Sequence, residues 1–167
     1  DLRSYEDSSN KKKIFDYIKN SFVKKFNLMK TDLIVMLLPT SPMRKIETIK
    51  KVVKIASKEK KDIFTVNSFD LSIKFALLKK KKFKWRPYFK KSPLLSGNTR
   101  SQNHKDYLRP NPVACCLWVK NLSKNKKSIF YNSLAFMTNR LESFDIDTKE
   151  DFIIVNSLMT FETKKYK

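Results

Sequence analysis

From Asp32 the chain runs Leu33-Ile34-Val35-Met36-Leu37-Leu38 and then breaks at Pro39-Thr40-Ser41-Pro42-Met43-Arg44. An apolar run with a β-branched centre is the pattern of a parallel strand buried on both faces. The prolines remove backbone donors and end it. Beyond the turn, Ile46, Ile49, Val52, Val53 and Ala56 recur at helical spacing between lysines, giving an amphipathic helix able to cover a sheet. Strand, short turn and helix make a βα unit, and open α/β sheets collect ligands at such strand ends. There the hydroxyls of Thr40 and Ser41 and free backbone amides can hold a nucleotide, and Arg44 can meet a phosphate or carboxylate. The plainer alternative is that the prolines only shape the turn and start the helix.

A second informative stretch is Ser143-Phe144-Asp145-Ile146-Asp147-Thr148-Lys149-Glu150-Asp151-Phe152. If it is extended, the carboxylates of Asp145 and Asp147 share a face, where they repel each other unless a cation lies between them. Hard oxygen ligands of this kind suit magnesium or manganese, which bridge nucleotide phosphates. Thr148 reads as an N-cap with Asp151 as its capping-box partner, and Phe152, Val155, Asn156 and Met159 continue as a helix. The alternative is that one carboxylate caps this helix while the other is solvated.

The rest of the chain reads as one α/β layer structure. Ile14, Phe15, Ile18, Phe22 and Phe26 mark a first helix, 62–66 a strand, 113–119 another, 128–134 a short helix or turn, 135–137 a short strand, and the final helix spans about Lys149 to Met159. The stretch 67–112 is irregular, rich in lysine and aromatics, and punctuated by Pro87, Pro93, Gly97 and Pro110. With 167 residues, 41% of them hydrophobic, the chain supports one domain with a real core. No apolar run approaches the roughly 20 residues of a membrane span, so a cytoplasmic protein with no membrane partner is expected. Adjacent Cys115 and Cys116 would strain a mutual disulfide and read as buried thiols. His104 has no familiar zinc-ligand spacing to them.

The formal net charge is +21, with lysine runs such as Lys79 to Lys82 beside Phe83, Trp85, Tyr88 and Phe89. A basic nucleic-acid-binding module is therefore an alternative class. Only six of the 37 basic residues are arginine, the side chain preferred for planar phosphate and base recognition, which disfavours nucleic acid as the partner.

In order and approximate spacing, the motifs resemble those of the acylneuraminate cytidylyltransferases, or CMP-sialic acid synthetases. That family carries Gln-Pro-Thr-Ser-Pro-Leu-Arg after a strand, matched by Leu38 to Arg44. It has an Arg-Gln segment leading to Arg-Pro-Asn-Gly-Ala-Ile-Tyr, approached by Arg100-Ser101-Gln102 and Arg109-Pro110-Asn111-Pro112-Val113-Ala114. Its late Ser-Ile-Asp-Ile-Asp-Thr-Glu-Glu-Asp-Phe motif is matched by Ser143 to Phe152. The resemblance implies an α/β, partial Rossmann-like nucleotidyltransferase fold of the nucleotide-diphospho-sugar transferase type, with a mixed, mostly parallel sheet. It implies residues 1–167 as a single catalytic domain lacking the N-terminal triphosphate-binding loop, with 67–112 forming a dimerisation and substrate arm of a homodimer. The implied reaction transfers CMP from CTP to the anomeric hydroxyl of a nonulosonic acid with Mg2+ or Mn2+, releasing pyrophosphate; the chain alone is expected to be inactive.

Residue by residue, the resemblance makes Asp145 and Asp147 metal ligands and gives Arg44 a catalytic role. Ser8 and Ser9, with Thr40 and Ser41, meet the nucleotide. Lys74 from across the dimer, with Arg100, Gln102 and Asn111, meets the sugar acid. The chain departs from the pattern at Leu38, where the family has Gln, at Pro112, where it has Gly, and at Cys115-Cys116, where Ile-Tyr is usual. The first two admit a different sugar acid or an inactive dimerising paralogue.

Overall fold

Helix α2 (Ile46–Glu59) buries Thr48, Val52 and Ala56, a stripe repeating every four residues, and turns its lysines outward. It ends at Lys60, whose φ of +52° closes the helix in the left-handed region. The computed structural model describes residues 13–100, 107–122 and 128–165, with side chains as far as Phe161. Ahead of α2 stand helix α1, an α turn Ile14–Tyr17 that passes through a π segment Ile18–Phe22 into Val23–Lys25, and strand β1 (Leu33–Met36). Strand β2 (Ile63–Ser68), a short hairpin of β3 (Leu77–Lys79) and β4 (Trp85–Pro87), a helical turn α3 (Pro93–Ser96) and the long strand β5 (Leu108–Trp118) follow. Strand β6 (Leu134–Met137) and helix α4 (Lys149–Lys165) close the sequence of elements.

The main sheet has the order β1-β5-β2-β6. β5 is antiparallel to both β1 and β2, whereas β2 and β6 are parallel. The sheet is thus mixed, but the expectation of mostly parallel pairing is corrected. β1, β2 and β6 run the same way, and β5 is inserted between β1 and β2 against them. β1 is consequently an edge strand in this sheet, paired only with β5 and half-buried rather than enclosed on both faces, with Val35 exposed.

Two cores lie on opposite faces of β5. Cys116 packs with Val52, Ala56, Ile63 and Ala114 under α2, while Cys115 packs with Tyr17, Ile18 and Leu117 under α1. Alternation along a strand sends neighbouring side chains to opposite faces, so the vicinal thiols serve separate cores and form no disulfide. Burial, helped by the nearby Asp62 carboxylate, pushes the Cys116 thiol up to about 11, and it stays protonated at neutral pH. Asp62 itself is a latch: its Oδ1 accepts from the Trp118 backbone amide at 2.8 Å and from Asn121 Nδ2 at 3.0 Å. Trp118 Nε1 donates to the Ala56 carbonyl at 3.1 Å, tying the end of α2 to the end of β5.

β5 begins at Leu108, well before the strand expected from 113, because it absorbs Pro110 and Pro112 in a bulge. Phe64 pairs with Cys115 but Val66 pairs with Pro110, so Asn111 to Ala114 stand opposite Thr65 alone. Neither proline has an N–H to give the ladder. The Thr65 hydroxyl stands in for it, accepting from the Ala114 amide at 3.1 Å and lying 3.0 and 3.2 Å from the Ala114 and Asn111 carbonyls.

Candidate functional site

The proline turn and the acidic motif meet. The Ile146 amide donates to the Thr40 carbonyl at 2.9 Å, and the fully buried Ser41 directs its hydroxyl at the Glu142 carbonyl at 3.5 Å. These bonds join segments a hundred residues apart in sequence, at the carboxyl side of β1. Arg44 is held from the same turn: Nε donates to the Ser41 carbonyl at 2.7 Å and Nη1 to the Val113 carbonyl at 3.2 Å. Burial lowers the Arg44 pKa, and the Asp145 carboxylate beside it works the other way.

Asp145 and Asp147 line one polar cleft of about 250 Å³, together with Asp70, Asp151, Arg109 and Arg140. Four carboxylates against two guanidinium groups give it a negative balance in a chain of net charge +21. Asp147 is exposed, while Asp145 is half-buried and its Oδ1 is buried without a hydrogen-bond partner. A buried, unpaired carboxylate oxygen is costly in isolation, and a cation is the partner that would relieve it. Among the described residues no three His, Cys, Asp or Glu side chains are gathered as a metal cluster. Two carboxylates suffice for magnesium, which keeps several waters and takes the remaining oxygens from phosphate.

Asp145 also borders a second, apolar cleft of about 290 Å³, walled by Met36, Leu38, Phe64, Pro112 and Phe130 and touched by Asn111. The two departures from the family pattern, Leu38 and Pro112, therefore fall in one wall. No family model matches the chain, and no curated protein matches it. The site must be read from its geometry.

Several expected residues are placed differently. Ser41 is buried and braces the two motifs to each other, whereas Thr40 presents its carbonyl to Ile146. Asn111 touches the apolar cleft, but its side chain is fully engaged: Nδ2 donates to Thr138 Oγ1 at 2.8 Å and Asn67 Oδ1 at 3.4 Å, and Oδ1 accepts from the Val113 amide at 3.2 Å. It closes the bulge that Pro112 creates. Lys74, in the turn Ile73–Phe75, and the exposed Arg100 line neither cleft. Ser8, Ser9 and Gln102 lie outside the described residues.

Asp70, Arg109 and Arg140 were not singled out by sequence. Arg109 stood inside the Arg-Pro-Asn segment, while Asp70 and Arg140 are isolated charges with no motif around them. Arg140 Nε lies 3.1 Å from Asp70 Oδ1, an exposed pair of little energetic weight.

The capping box is present. Asp151 Oδ2 accepts from the Thr148 amide and hydroxyl, both at 2.8 Å, and the Asp151 amide donates to Thr148 Oγ1 at 3.1 Å. It also accepts from the Asp147 amide at 3.2 Å, so the cap of α4 fixes the backbone of the acidic pair. The Thr148 side chain first, then the Thr148 amide, hold the Asp151 carboxyl below its ordinary value, with the Asp147 amide adding to them. A depressed carboxylate contributes stability above its unfolded pKa and loses it as pH falls through the folded one. The protection factors of the amides in the first turn of α4 should therefore fall as pH drops below about 4. Asp151→Asn should remove that acid step and show fast exchange already at neutral pH.

Proposed function

We propose that the chain is a nucleotidyltransferase domain that transfers CMP from CTP to the anomeric hydroxyl of a nonulosonic acid, releasing pyrophosphate. The observation that carries this reading is the union of the two motifs. The Ile146–Thr40 hydrogen bond brings the acidic pair to the proline turn, and Asp145 and Asp147 open into one cleft. Asp145 and Asp147 would hold magnesium or manganese, and the unpartnered Oδ1 of Asp145 fits that role. The metal, when bound, supplies neutralisation of charge on phosphate oxygens.

The remaining work falls to the chain's own groups. Arg44, fixed by two carbonyls, holds its charge near Asp145. Arg109 and Arg140 supply positive charge at the cleft for an anionic substrate. The apolar cleft excludes water on the other side of Asp145 and takes the acceptor. Leu38 and Pro112 give that wall hydrocarbon in place of a polar contact, so the acceptor sugar acid presents an apolar substituent there. In line with the family's arrangement, the arm within 67–112 would serve a homodimer, with Lys74 and Arg100 acting from the partner.

The test is pyrophosphate release from CTP by the protein expressed from its complete coding sequence, across a panel of nonulosonic acids with and without magnesium. Release that requires both the sugar acid and the metal, and that prefers CTP over the other triphosphates, supports the reading. Absence of release with every acceptor, together with no manganese binding at the cleft, would sink it.

A further inference from the structure

The hairpin β3–β4 carries an observation that the cleft does not explain. Its register pairs Leu77 with Pro87, Leu78 with Arg86 and Lys79 with Trp85. The Lys80 amide donates to the Lys84 carbonyl at 2.7 Å and the Lys84 amide to Lys81 at 3.3 Å, which leaves Lys82 and Phe83 at the apex. Both apex residues have positive φ, +52° for Lys82 and +60° for Phe83. Tight hairpin turns of this kind favour Asn-Gly, because a bulky side chain at positive φ is strained. Here the strained position holds a phenylalanine, and its ring is fully exposed to solvent. Trp85 on the adjoining strand is 54% exposed and Tyr88 60% exposed. Backbone strain that serves to hold an aromatic ring in water is stability spent on something outside the fold.

The charge around the tip says what that is. From Leu71 to Arg100 there are eight lysines and two arginines and not one Asp or Glu. We propose that the Lys80–Arg86 tip is a peripheral anchor for an anionic lipid bilayer, with Phe83 and Trp85 entering the headgroup region while the flanking lysines meet lipid phosphates. Lysine ammonium groups are mobile point charges that suit a diffuse anionic surface, whereas planar phosphate or base recognition favours arginine. The two rings are exposed on a two-stranded hairpin and line neither cleft, which fits penetration of an interface better than stacking along a strand. No described helix is long and apolar enough to cross a membrane, so the contact is peripheral. This inference needs neither the metal nor the nucleotide, and it requires that the 80–86 tip stay outside the contact that the 67–112 arm would make in a homodimer.

The experiment is sedimentation of the protein with phosphatidylglycerol-rich vesicles and with pure phosphatidylcholine vesicles, followed in parallel by tryptophan emission with bromine-labelled acyl chains. Binding should require phosphatidylglycerol, weaken with salt, and quench Trp85, while the buried Trp118 gives a constant background. Phe83→Gly should weaken vesicle binding about tenfold. The same change should leave the thermal midpoint equal or raised, because glycine relieves the positive φ. Replacing Lys80, Lys81 and Lys82 together by Gln should weaken it about a hundredfold. Phe83→Gly binding vesicles as well as the parent, or no quenching of Trp85, would overturn the proposal. So would failure to bind vesicles alongside capture of a single-stranded oligonucleotide that alters Trp85 emission, which would assign the tip to nucleic acid instead.

Discussion

Asp145→Asn should lower manganese affinity and cytidylyl transfer together by about a hundredfold or more while leaving the thermal midpoint unchanged or higher. The two halves of that result come from one atom. Oδ1 of Asp145 is buried without a hydrogen-bond partner, although the Arg44 charge lies near the carboxylate, and an amide at that position removes the charge that a cation would meet. A structural carboxylate would behave in the opposite way, because its loss breaks bonds. Asp147 is exposed, so Asp147→Asn should also depress metal binding and turnover but with no gain in stability. Arg44 provides the control: it is braced by the Ser41 and Val113 carbonyls, and Arg44→Ala should cost both activity and stability. The metal assignment fails if manganese binds Asp145→Asn as it binds the parent, or if Asp145→Asn unfolds at a clearly lower temperature.

What was legible in the sequence was set by local chemistry. The βα unit from Leu33 to Ala56 announces itself because hydrophobic periodicity switches from continuous to helical across two prolines. The Thr148–Asp151 cap is readable because its partners are three residues apart. What was not legible depends on distant partners. A continuous apolar run suggested that β1 is enclosed, but nothing local says that β5 returns between β1 and β2 against their direction. The hairpin β3–β4 was hidden because lysine occupies both faces and its turn is Lys82-Phe83, without the Asn or Gly that signals such turns. Pro110 and Pro112 disguised the first five of the eleven residues of β5 as loop, since proline normally excludes a central strand. Motif position alone does not show whether the side chain of Asn111 already has partners inside the fold. Here the amide is consumed by Thr138, Asn67 and Val113.

That bulge makes Thr65 the residue on which the central strand depends. Thr65→Val keeps the volume and the β-branch and removes only the hydroxyl, which accepts from the Ala114 amide and lies against two carbonyls in a fully buried position. The prolines of the bulge have no N–H to replace it. The substitution should cost about 2 kcal/mol, the desolvation of the stranded Ala114 amide plus the lost bond. For a domain of this size that lowers the melting midpoint by roughly 5 °C. Thr65→Ser keeps the hydroxyl and loses a methyl, so it should cost about 1 kcal/mol, less than the valine change. A valine variant as stable as the serine variant would show that the ladder gap is satisfied by something other than this hydroxyl. The loss should also reach the site. The bulge sets Pro112 and Asn111 in the wall of the apolar cleft and the Val113 carbonyl under Arg44. In the proposed reaction, Thr65→Val should therefore raise KM for the sugar acid more than for CTP, whose phosphates would address Asp145 and Asp147 on the other side.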